Sequence, residues 1–420
     1  MALWLVATYP FKRRRAAPSI TTGHHLDDAR APRTPRRRRR RTAASLLRRP
    51  NRARDPRPGR DETVRLRPAE RRIDARAARS AGRAEIGGSG ISRSIWTKRG
   101  GAGFRSAKHR GRDEGTVGTQ VAVIGAGFVG VNTALALLQR NIASRVTLTD
   151  VDEEKCLGEV LDLEDAGTPG SIAVATPEAA GQADVIVITA GRGQRPGETR
   201  LELIAGNAAI MKSIMDAMQP LNPEAKIVVV ANPCDPLTYY ARKLAPNLPE
   251  GAVFGSGTVL DTMRLRVELG YRLGVHSQDV HVMVLGEHGD TQFAAYSTGN
   301  VGGRPLLQYP GVSAINLEKM AYDVGHKAYQ IIDRKGYTAY GVANATATIV
   351  DAILFDRKAV LPVSVKDPQR DCYLSIPSVV GVDGIEEILD IQPHLSFEET
   401  KKYDATADKM ESMCAGLPAA

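Results

Sequence analysis

The chain has 420 residues, of which 42% are apolar, and this length allows a packed core of two or three domains. Its net charge of +10 is unevenly distributed: residues 1–116 hold 32 basic and 10 acidic side chains, net +22, while residues 117–420 hold 25 and 37, net −12. The acidic part gives no electrostatic reason to expect nucleic-acid binding. The sequence has no run of about 18 apolar residues, so it predicts no membrane-spanning helix.

Residues 1–116 are rich in Arg, Pro, Ala, Gly and Ser and show no sustained apolar period, which predicts disorder. Three interpretations are open: a tail that binds nucleic acid or a membrane surface, an organellar targeting peptide, and translated sequence upstream of the true start. We favour the third, because Val117 lies just before the first predicted strand and a valine codon can serve as a bacterial start. Basic residues follow the apolar stretch 2–9, which argues against export.

The four cysteines are far apart in the sequence and form no CxxC pair. This spacing predicts reduced thiols in a cytoplasmic protein and no metal site.

From Val117 onward, short apolar strands alternate with helical patterns, and this alternation predicts an α/β fold with a doubly wound parallel sheet of the Rossmann type. We assign this sheet to a domain of residues 117–260. After Asp261 the pattern is mixed and predicts an α+β substrate domain of residues 261–420. The predicted strands are 121–124, 146–149, 185–189, 227–231 and 280–285, and the longer predicted helices are 154–165, 201–218 and 317–334.

A glycine-rich turn, GAGFVG, joins the first strand to the first helix. Gly125, Gly127 and Gly130 form the GxGxxG pattern, which lets backbone N–H groups and a helix N-terminus face a pyrophosphate. The next strand ends in Asp150, where a carboxylate can accept hydrogen bonds from an adenosine ribose. Its charge would repel a 2′-phosphate, so the pair of signals predicts NAD rather than NADP as the cofactor.

The segment Gly286-Glu287-His288-Gly289-Asp290 places a histidine between glycines at the end of a strand. Hydride transfer to a ketone needs a proton donor that titrates near neutral pH, as imidazole does. Asp261 and Arg264, three residues apart, share one helical face, where Asp261 could hold the imidazole and Arg264 could bind a carboxylate with two hydrogen bonds. A surface ion pair is the ordinary alternative for those two residues.

Together these blocks resemble the L-lactate/malate dehydrogenase family, with the bacterial L-lactate dehydrogenases as the nearest members, over essentially all of residues 117–420. The resemblance implies an NAD-dependent enzyme in which His288 is the acid/base, Asp261 is its partner and Arg264 is the clamp on the substrate carboxylate. Blocks in family order are GAGFVG, TAGRGQRPGETR, ANPCD, GSGTVLDTMRLR, GEHGD and KGYTAYG.

The same resemblance implies that Arg200, on a loop that closes over the substrate, approaches the ketone oxygen together with Asn232. The residues that it implies for cofactor binding are Gly125, Gly127, Val129, Gly130, Asp150, Lys155, Gly191, Val230 and Asn232.

Substrate choice within the family depends on the closing loop. An arginine selects the second carboxylate of oxaloacetate, and a glutamine selects the methyl end of pyruvate. An ungapped alignment puts Gln194 at this position, and Thr338 matches the pocket residue of the lactate enzymes, so we predict L-lactate dehydrogenase. Malate stays open because Arg195 is adjacent, and L-2-hydroxyisocaproate stays open because the C-terminal half also resembles those dehydrogenases.

Arg266 and His281 match positions that bind the phosphates of fructose 1,6-bisphosphate in bacterial lactate dehydrogenases. The resemblance therefore implies an allosteric homotetramer that takes part in glycolysis and fermentation. A solvated Arg266 and a satisfied strand residue His281 are the alternative. Two rival functions are also open: a dinucleotide sensor without chemistry, against which the full set of charged site residues argues, and nucleic-acid binding by the first 116 residues.

Overall fold

The computed structural model describes residues 119–193 and 200–419, apart from the side chains of residues 200 and 201. The predictions for residues 1–116, for Gln194 and Arg195 and for the side chain of Arg200 therefore lie outside the described residues.

The first half of the described chain alternates strands and helices: β1 (Gln120–Ile124), α1 (Phe128–Gln139), β2 (Arg145–Thr149), α2 (Glu153–Glu164), β3 (Ser171–Val174), α3 (Pro177–Ala180), β4 (Val185–Ile188), α4 (Arg200–Ala217), β5 (Lys226–Val229), α5 (Cys234–Leu244) and β6 (Val253–Gly255). The second half is mixed: α6 (Val259–Leu273), β7 (Val280–His281), β8 (Val284–Leu285), β9 (Phe293–Ala294), β10 (Asn300–Val301), β11 (Arg304–Pro305), α7 (Leu317–Gly325), α8 (Lys327–Lys335), α9 (Tyr340–Leu354), β12 (Ala359–Lys366), β13 (Tyr373–Gly381), β14 (Gly384–Ile388) and α10 (Phe397–Ala415).

The central sheet has nine strands in the order β14-β13-β12-β6-β5-β4-β1-β2-β3. Strands β1 to β6 are parallel and follow the order 3-2-1-4-5-6 of a doubly wound fold, as the alternating pattern predicts. The antiparallel pairing of β12 with β6 adds three strands from the second half to the same sheet. The predicted domain boundary at 260/261 falls inside α6, and the domain limits stay a prediction.

The buried strands explain why the parallel sheet was readable from its apolar runs. Every residue of β4 is buried, and alternate residues of β1 contribute to two different cores: Val121 and Val123 to one, Ala122 and Ile124 to the other. Helices cover both faces of such a sheet, so both sides of each strand must be apolar. The carboxyl ends of β1, β4 and β5 then lie side by side, and the glycine turn, Gly191 and Asn232 follow these ends.

Two predicted elements are each divided in the structure. The predicted strand 280–285 is wrong as one unit, because β7 pairs with β10 and β8 pairs with β9, so the chain changes partner between them. The predicted helix 317–334 ends at Gly325 and restarts at Lys327, with His326 between the two helices at φ −90° and ψ 0°. The amphipathic pattern continues across this break, which is why periodicity alone joined the two helices.

All four cysteines lie in the described part of the chain and are buried free thiols, as predicted. Within residues 119–193 and 200–419, no helix is both long enough and apolar enough to cross a membrane.

Candidate active site

The glycine turn between β1 and α1 has a backbone that only small residues permit. Gly125 has a φ of +107°, and a Cβ built on Gly130 would lie 1.8 Å from the carbonyl oxygen of Gly125. At Gly127, by contrast, a Cβ would meet nothing within 4 Å, and no side chain caps the helix at this residue. The first turn of α1 therefore presents backbone N–H groups to open space, as a pyrophosphate site requires.

A cleft of about 580 Å³ lies beside this turn. At its floor the Asp150 carboxylate accepts hydrogen bonds from the backbone N–H of Ala126 at 2.6 Å and of Asp152 at 3.1 Å. The carboxylate at the end of β2 is thus fixed against the glycine turn, where it can also accept from ribose hydroxyls, and the cleft fits a dinucleotide. The predicted cofactor residues that line it are Gly125, Gly127, Asp150, Lys155 and Gly191.

The other predicted cofactor residues lie near the cleft but do not line it. Gly130 is buried beneath the turn and Val129 is partly buried, both on α1, while Val230 and Asn232 follow the end of β5. The cofactor roles of all nine residues stay predictions.

The predicted catalytic residues on α6 and after β8 do come together. His288 Nδ1 lies 2.8 Å from Asp261 Oδ2, and the Arg264 guanidinium donates to Asp261 Oδ1 at 3.0 Å. The Asp261 side chain is 2% exposed and the Arg264 side chain 11%, so the pair is not the surface ion pair of the alternative interpretation. The imidazole itself is 24% exposed. One carboxylate therefore orients both the ring and the guanidinium.

The charges in this group determine the protonation of the imidazole. Burial lowers the pKa of His288, but the Asp261 carboxylate outweighs burial and raises it above its ordinary value. Burial raises the pKa of Asp261, but His288 and Arg264 together hold it below its usual range. The arrangement favours an imidazolium beside an ionised aspartate, which is a proton donor with one accessible edge.

A second carboxylate beneath His288 was not singled out from the sequence. Asp235, in the first turn of α5, accepts from the backbone N–H of His288 at 2.8 Å and from the Ser364 hydroxyl at 2.6 Å. Burial raises its pKa to about 6, against these two hydrogen bonds. The ANPCD block contains this residue, but an acidic residue in a first helical turn is common and gives no signal of its own.

Asn207 is another residue that the sequence analysis missed. From α4 its side-chain amide donates to the backbone carbonyls of Arg192 at 3.1 Å and Asn232 at 2.6 Å, and its oxygen accepts from the N–H of Arg192 at 3.0 Å. It therefore ties the start of the predicted closing loop to the segment after β5. The signal is visible only in three dimensions, because a polar residue in the middle of a helix usually faces solvent.

Thr338 lies between α8 and α9, in a segment that reaches the glycine turn. Its neighbour Tyr337 stacks on Phe128 with ring centroids 3.8 Å apart, and a Cβ on Gly341 would meet Leu260 at 2.9 Å. The segment that contains Thr338 thus contacts both the nucleotide turn and α6, next to Asp261.

The two predicted effector residues lie on adjacent elements. The Arg266 Nε donates to the backbone carbonyl of Val282 at 3.0 Å, and burial lowers the pKa of this guanidinium. His281, one residue before Val282, is exposed on β7.

The family models and the similar proteins all name lactate or lactate/malate dehydrogenases. The lactate/malate dehydrogenase NAD binding domain matches residues 119–255, and the lactate/malate dehydrogenase alpha/beta C-terminal domain matches residues 258–415. L-lactate dehydrogenase A of Rhizopus oryzae is 43% identical over 277 residues, which is 65% of this chain and 86% of that protein. L-lactate dehydrogenase of Limosilactobacillus reuteri is 40% identical over 304 residues, 70% of this chain and 93% of that protein.

Solved structures agree. A lactate dehydrogenase from a Medee basin deep-sea metagenome library superposes with a TM-score of 0.67 at 33% identity, and the minor L-lactate dehydrogenase of Enterococcus mundtii does so with 0.67 at 36%. Each match covers 71% of this chain and 98% of the other. With the nucleotide cleft and the His–Asp–Arg group on one fold, this chain belongs to the lactate/malate dehydrogenase family and is an NAD-dependent oxidoreductase.

Proposed function

We propose that this protein is an L-lactate dehydrogenase, which interconverts pyruvate and L-lactate. The observation that supports this most directly is the contact of His288 with Asp261, which also holds Arg264. Reduction of a 2-oxo acid needs a proton donor for the ketone oxygen and a guanidinium that binds the carboxylate. Here both groups contact the Asp261 carboxylate. The names of the relatives, L-lactate dehydrogenases, point to the same substrate pair.

In this proposal Arg264 binds the substrate carboxylate and thereby sets the direction in which the ketone points. Arg264 Nη1 donates to Asp261, and this bond orients the rest of the planar guanidinium before the substrate binds. The cleft lined by Gly125, Gly127 and Asp150 would hold the nicotinamide cofactor, which would supply a hydride for the carbonyl carbon. His288 donates its proton to the carbonyl oxygen and takes it back in the reverse reaction, and Asp261 stabilises the imidazolium throughout.

Two further residues act on the same oxygen. Asn232, whose backbone Asn207 holds, would donate to the carbonyl oxygen, and Arg200 would approach when the loop closes. Closure would also exclude water from the charged group, which strengthens each of these interactions.

Selection of pyruvate is assigned to Gln194 and Thr338. The neutral amide of Gln194 would tolerate the methyl group of pyruvate, whereas a guanidinium from Arg195 would favour the second carboxylate of oxaloacetate. A difference of a methylene or two in such a pocket is worth only about 1–3 kcal/mol, so some turnover of branched 2-oxo acids is expected.

We further propose a cytoplasmic homotetramer in the fermentative branch of glycolysis that fructose 1,6-bisphosphate activates. His281 is exposed on β7 and directly precedes Val282, whose backbone carbonyl accepts from Arg266, so the two basic residues meet the same short stretch of chain. Pairs from two subunits would meet across a two-fold axis and repel each other until an anion neutralises them.

The deciding experiment compares NADH oxidation with pyruvate, oxaloacetate and 2-oxoisocaproate, each with and without fructose 1,6-bisphosphate. Pyruvate ahead by at least about tenfold in kcat/KM supports the proposal. Oxaloacetate ahead would make the enzyme a malate dehydrogenase with Arg195 in the pocket, and 2-oxoisocaproate ahead would place specificity in the C-terminal half. Equal activity with and without the bisphosphate would contradict the effector proposal alone.

A further inference from the structure

Glu287, the residue before His288, has a buried carboxylate whose contacts are not needed for the chemistry described above. Its side chain is 2% exposed, and its Oε2 accepts from the Lys409 ammonium at 2.7 Å. The same oxygen accepts from the Thr291 hydroxyl at 2.5 Å and the Thr291 backbone N–H at 3.2 Å. The carboxylate therefore closes the catalytic loop on itself and joins it to α10.

The same face of α10 contacts the loop at a second position. Thr406, three residues before Lys409, donates from its hydroxyl to the carbonyl of Thr291 at 2.8 Å. Its methyl group would lie 3.1 Å from a Cβ on Gly286, which has a φ of +89°. The end of the loop that carries His288 is thus bonded to α10 at Thr291, and its start at Gly286 lies close to Thr406.

We propose that Lys409 is a positioning residue for His288, acting through its ion pair with Glu287, which fixes the catalytic loop and neutralises the negative charge next to the imidazole. This inference rests on the proposed role of His288 as acid/base. The Glu287 carboxylate is removed from solvent, so losing the Lys409 ammonium takes away a charge that stabilises it in the buried position. The Lys409 side chain, 32% exposed, can be exchanged without opening the core.

Charge balance around the imidazole gives a signature that a purely structural contact would not have. Among the described residues, the charged groups that act on the imidazole are Asp261 and Arg264 from α6 and Asp235 from α5, and the Glu287–Lys409 pair begins at the residue adjacent to His288. Lys409→Met removes a positive charge beside Glu287, which stabilises the imidazolium and raises its pKa. Glu287→Gln leaves the ammonium uncompensated and lowers it. The double variant removes both charges and returns the pKa toward the wild-type value.

The test is an NMR titration of the histidine side chains in the full chain without cofactor, with the His288 signals identified by their loss in a His288→Asn variant. We expect shifts of about 0.5–1 pH unit, upward in Lys409→Met and downward in Glu287→Gln, with near-cancellation in the double variant. Shifts of the same sign, or none in either single variant, would overturn the proposal.

Steady-state kinetics provide a second, independent readout. Lys409→Met should lower kcat for pyruvate reduction about tenfold with an unchanged KM for NADH, and Lys409→Arg should recover most of that loss. The matched control is Lys401→Met on the same helix, whose ammonium pairs with exposed Glu398 at 3.3 Å and which should leave kcat unchanged. A wild-type protein without activity on any 2-oxo acid would refute the proposed function, whereas the titration would still decide the role of Lys409.

Discussion

The nucleotide cleft and the catalytic group are built in opposite ways. The glycine turn at the edge of the cleft depends on backbone geometry over a short stretch, from Gly125 to Asp150, and a carboxylate that accepts backbone N–H groups fixes it. The catalytic group gathers α5, α6, the loop after β8 and α10, and Glu287 and Lys409 are separated by 122 positions. One site follows from local chain geometry, and the other depends on the tertiary fold.

Their electrostatics differ as well. Three carboxylates surround the His288 loop, and Asp235, Asp261 and Glu287 are each no more than 2% exposed. Each carboxylate has its own partners. The Ser364 hydroxyl and the His288 N–H donate to Asp235. The imidazole and Arg264 contact Asp261, and Lys409 pairs with Glu287. Removing one partner in such a group leaves a buried charge, so substitutions there should have larger effects than in the cleft.

The largest effect is expected for His288→Gln. Glutamine can still donate a hydrogen bond but does not exchange a proton near neutral pH, so kcat for pyruvate reduction should fall about 10²- to 10⁴-fold. NADH binding, measured by NADH fluorescence, should be unchanged because His288 does not line the nucleotide cleft. Retention of more than a tenth of the activity would exclude His288 as the acid/base.

Asp261→Asn tests the electrostatic part of the catalytic group. The aspartate holds the His288 pKa above its ordinary value, and pyruvate reduction needs the protonated ring, so activity should decline as pH rises through that pKa. Without the carboxylate the pKa falls, and the alkaline limb of the kcat/KM profile should move to lower pH by about 1–2 units. At a pH above the new alkaline limb, kcat/KM of the variant would be about 10- to 100-fold below that of wild type.

Circular dichroism and a thermal melt of the Asp261→Asn variant provide its control, since Arg264 also loses a partner. A pH profile that keeps its alkaline limb while activity falls uniformly would show that Asp261 acts on Arg264 and not on the imidazole.

The contrast also explains which features could be predicted from sequence. The parallel strands and the glycine turn could be, because fully buried strands are apolar throughout and a GxGxxG turn has a local backbone requirement. Asp261 and Arg264 could be paired because helical spacing puts them on one face. Asp235, Asn207 and Lys409 could not, since each belongs to an ordinary helix and gains its role from a partner far along the chain.

Short elements in the second half were hard to predict for a related reason. The two-residue strands β7 and β8 occupy one apolar run, and only their different pairing partners separate them. Local pattern carries no information about such partners.

Asp235→Asn should change stability in a pH-dependent way. The folded-state pKa of about 6 lies above the ordinary aspartate value of 3.8, so the native protein binds more protons than the unfolded chain between these values. Stability contributed by this group is complete below pH 3.8 and declines as pH rises through about 6, by up to about 3 kcal/mol. Asparagine can accept from the His288 N–H and donate to the Ser364 oxygen without a charge.

Urea unfolding at pH 4.5 and pH 7.5 measures this effect. The free energy of unfolding of the Asp235→Asn variant should gain on that of wild type as pH rises from about 4 to about 6, and the gain should level off above that pH. Parallel stability curves for the two proteins across this range would contradict a raised Asp235 pKa.

The smallest effect is expected in the cleft, for Asp150→Ala. The carboxylate accepts the backbone N–H groups of Ala126 and Asp152, which solvent can replace in an open cleft, so the fold should remain intact. Losing the ribose contact should raise the KM for NADH about tenfold, equivalent to about 1.4 kcal/mol, with little change in kcat. The KM for NADPH should fall, because the charge that repels a 2′-phosphate is gone. If kcat falls instead while both KM values hold, Asp150 supports the glycine turn through its bonds to Ala126 and Asp152 and does not select the cofactor.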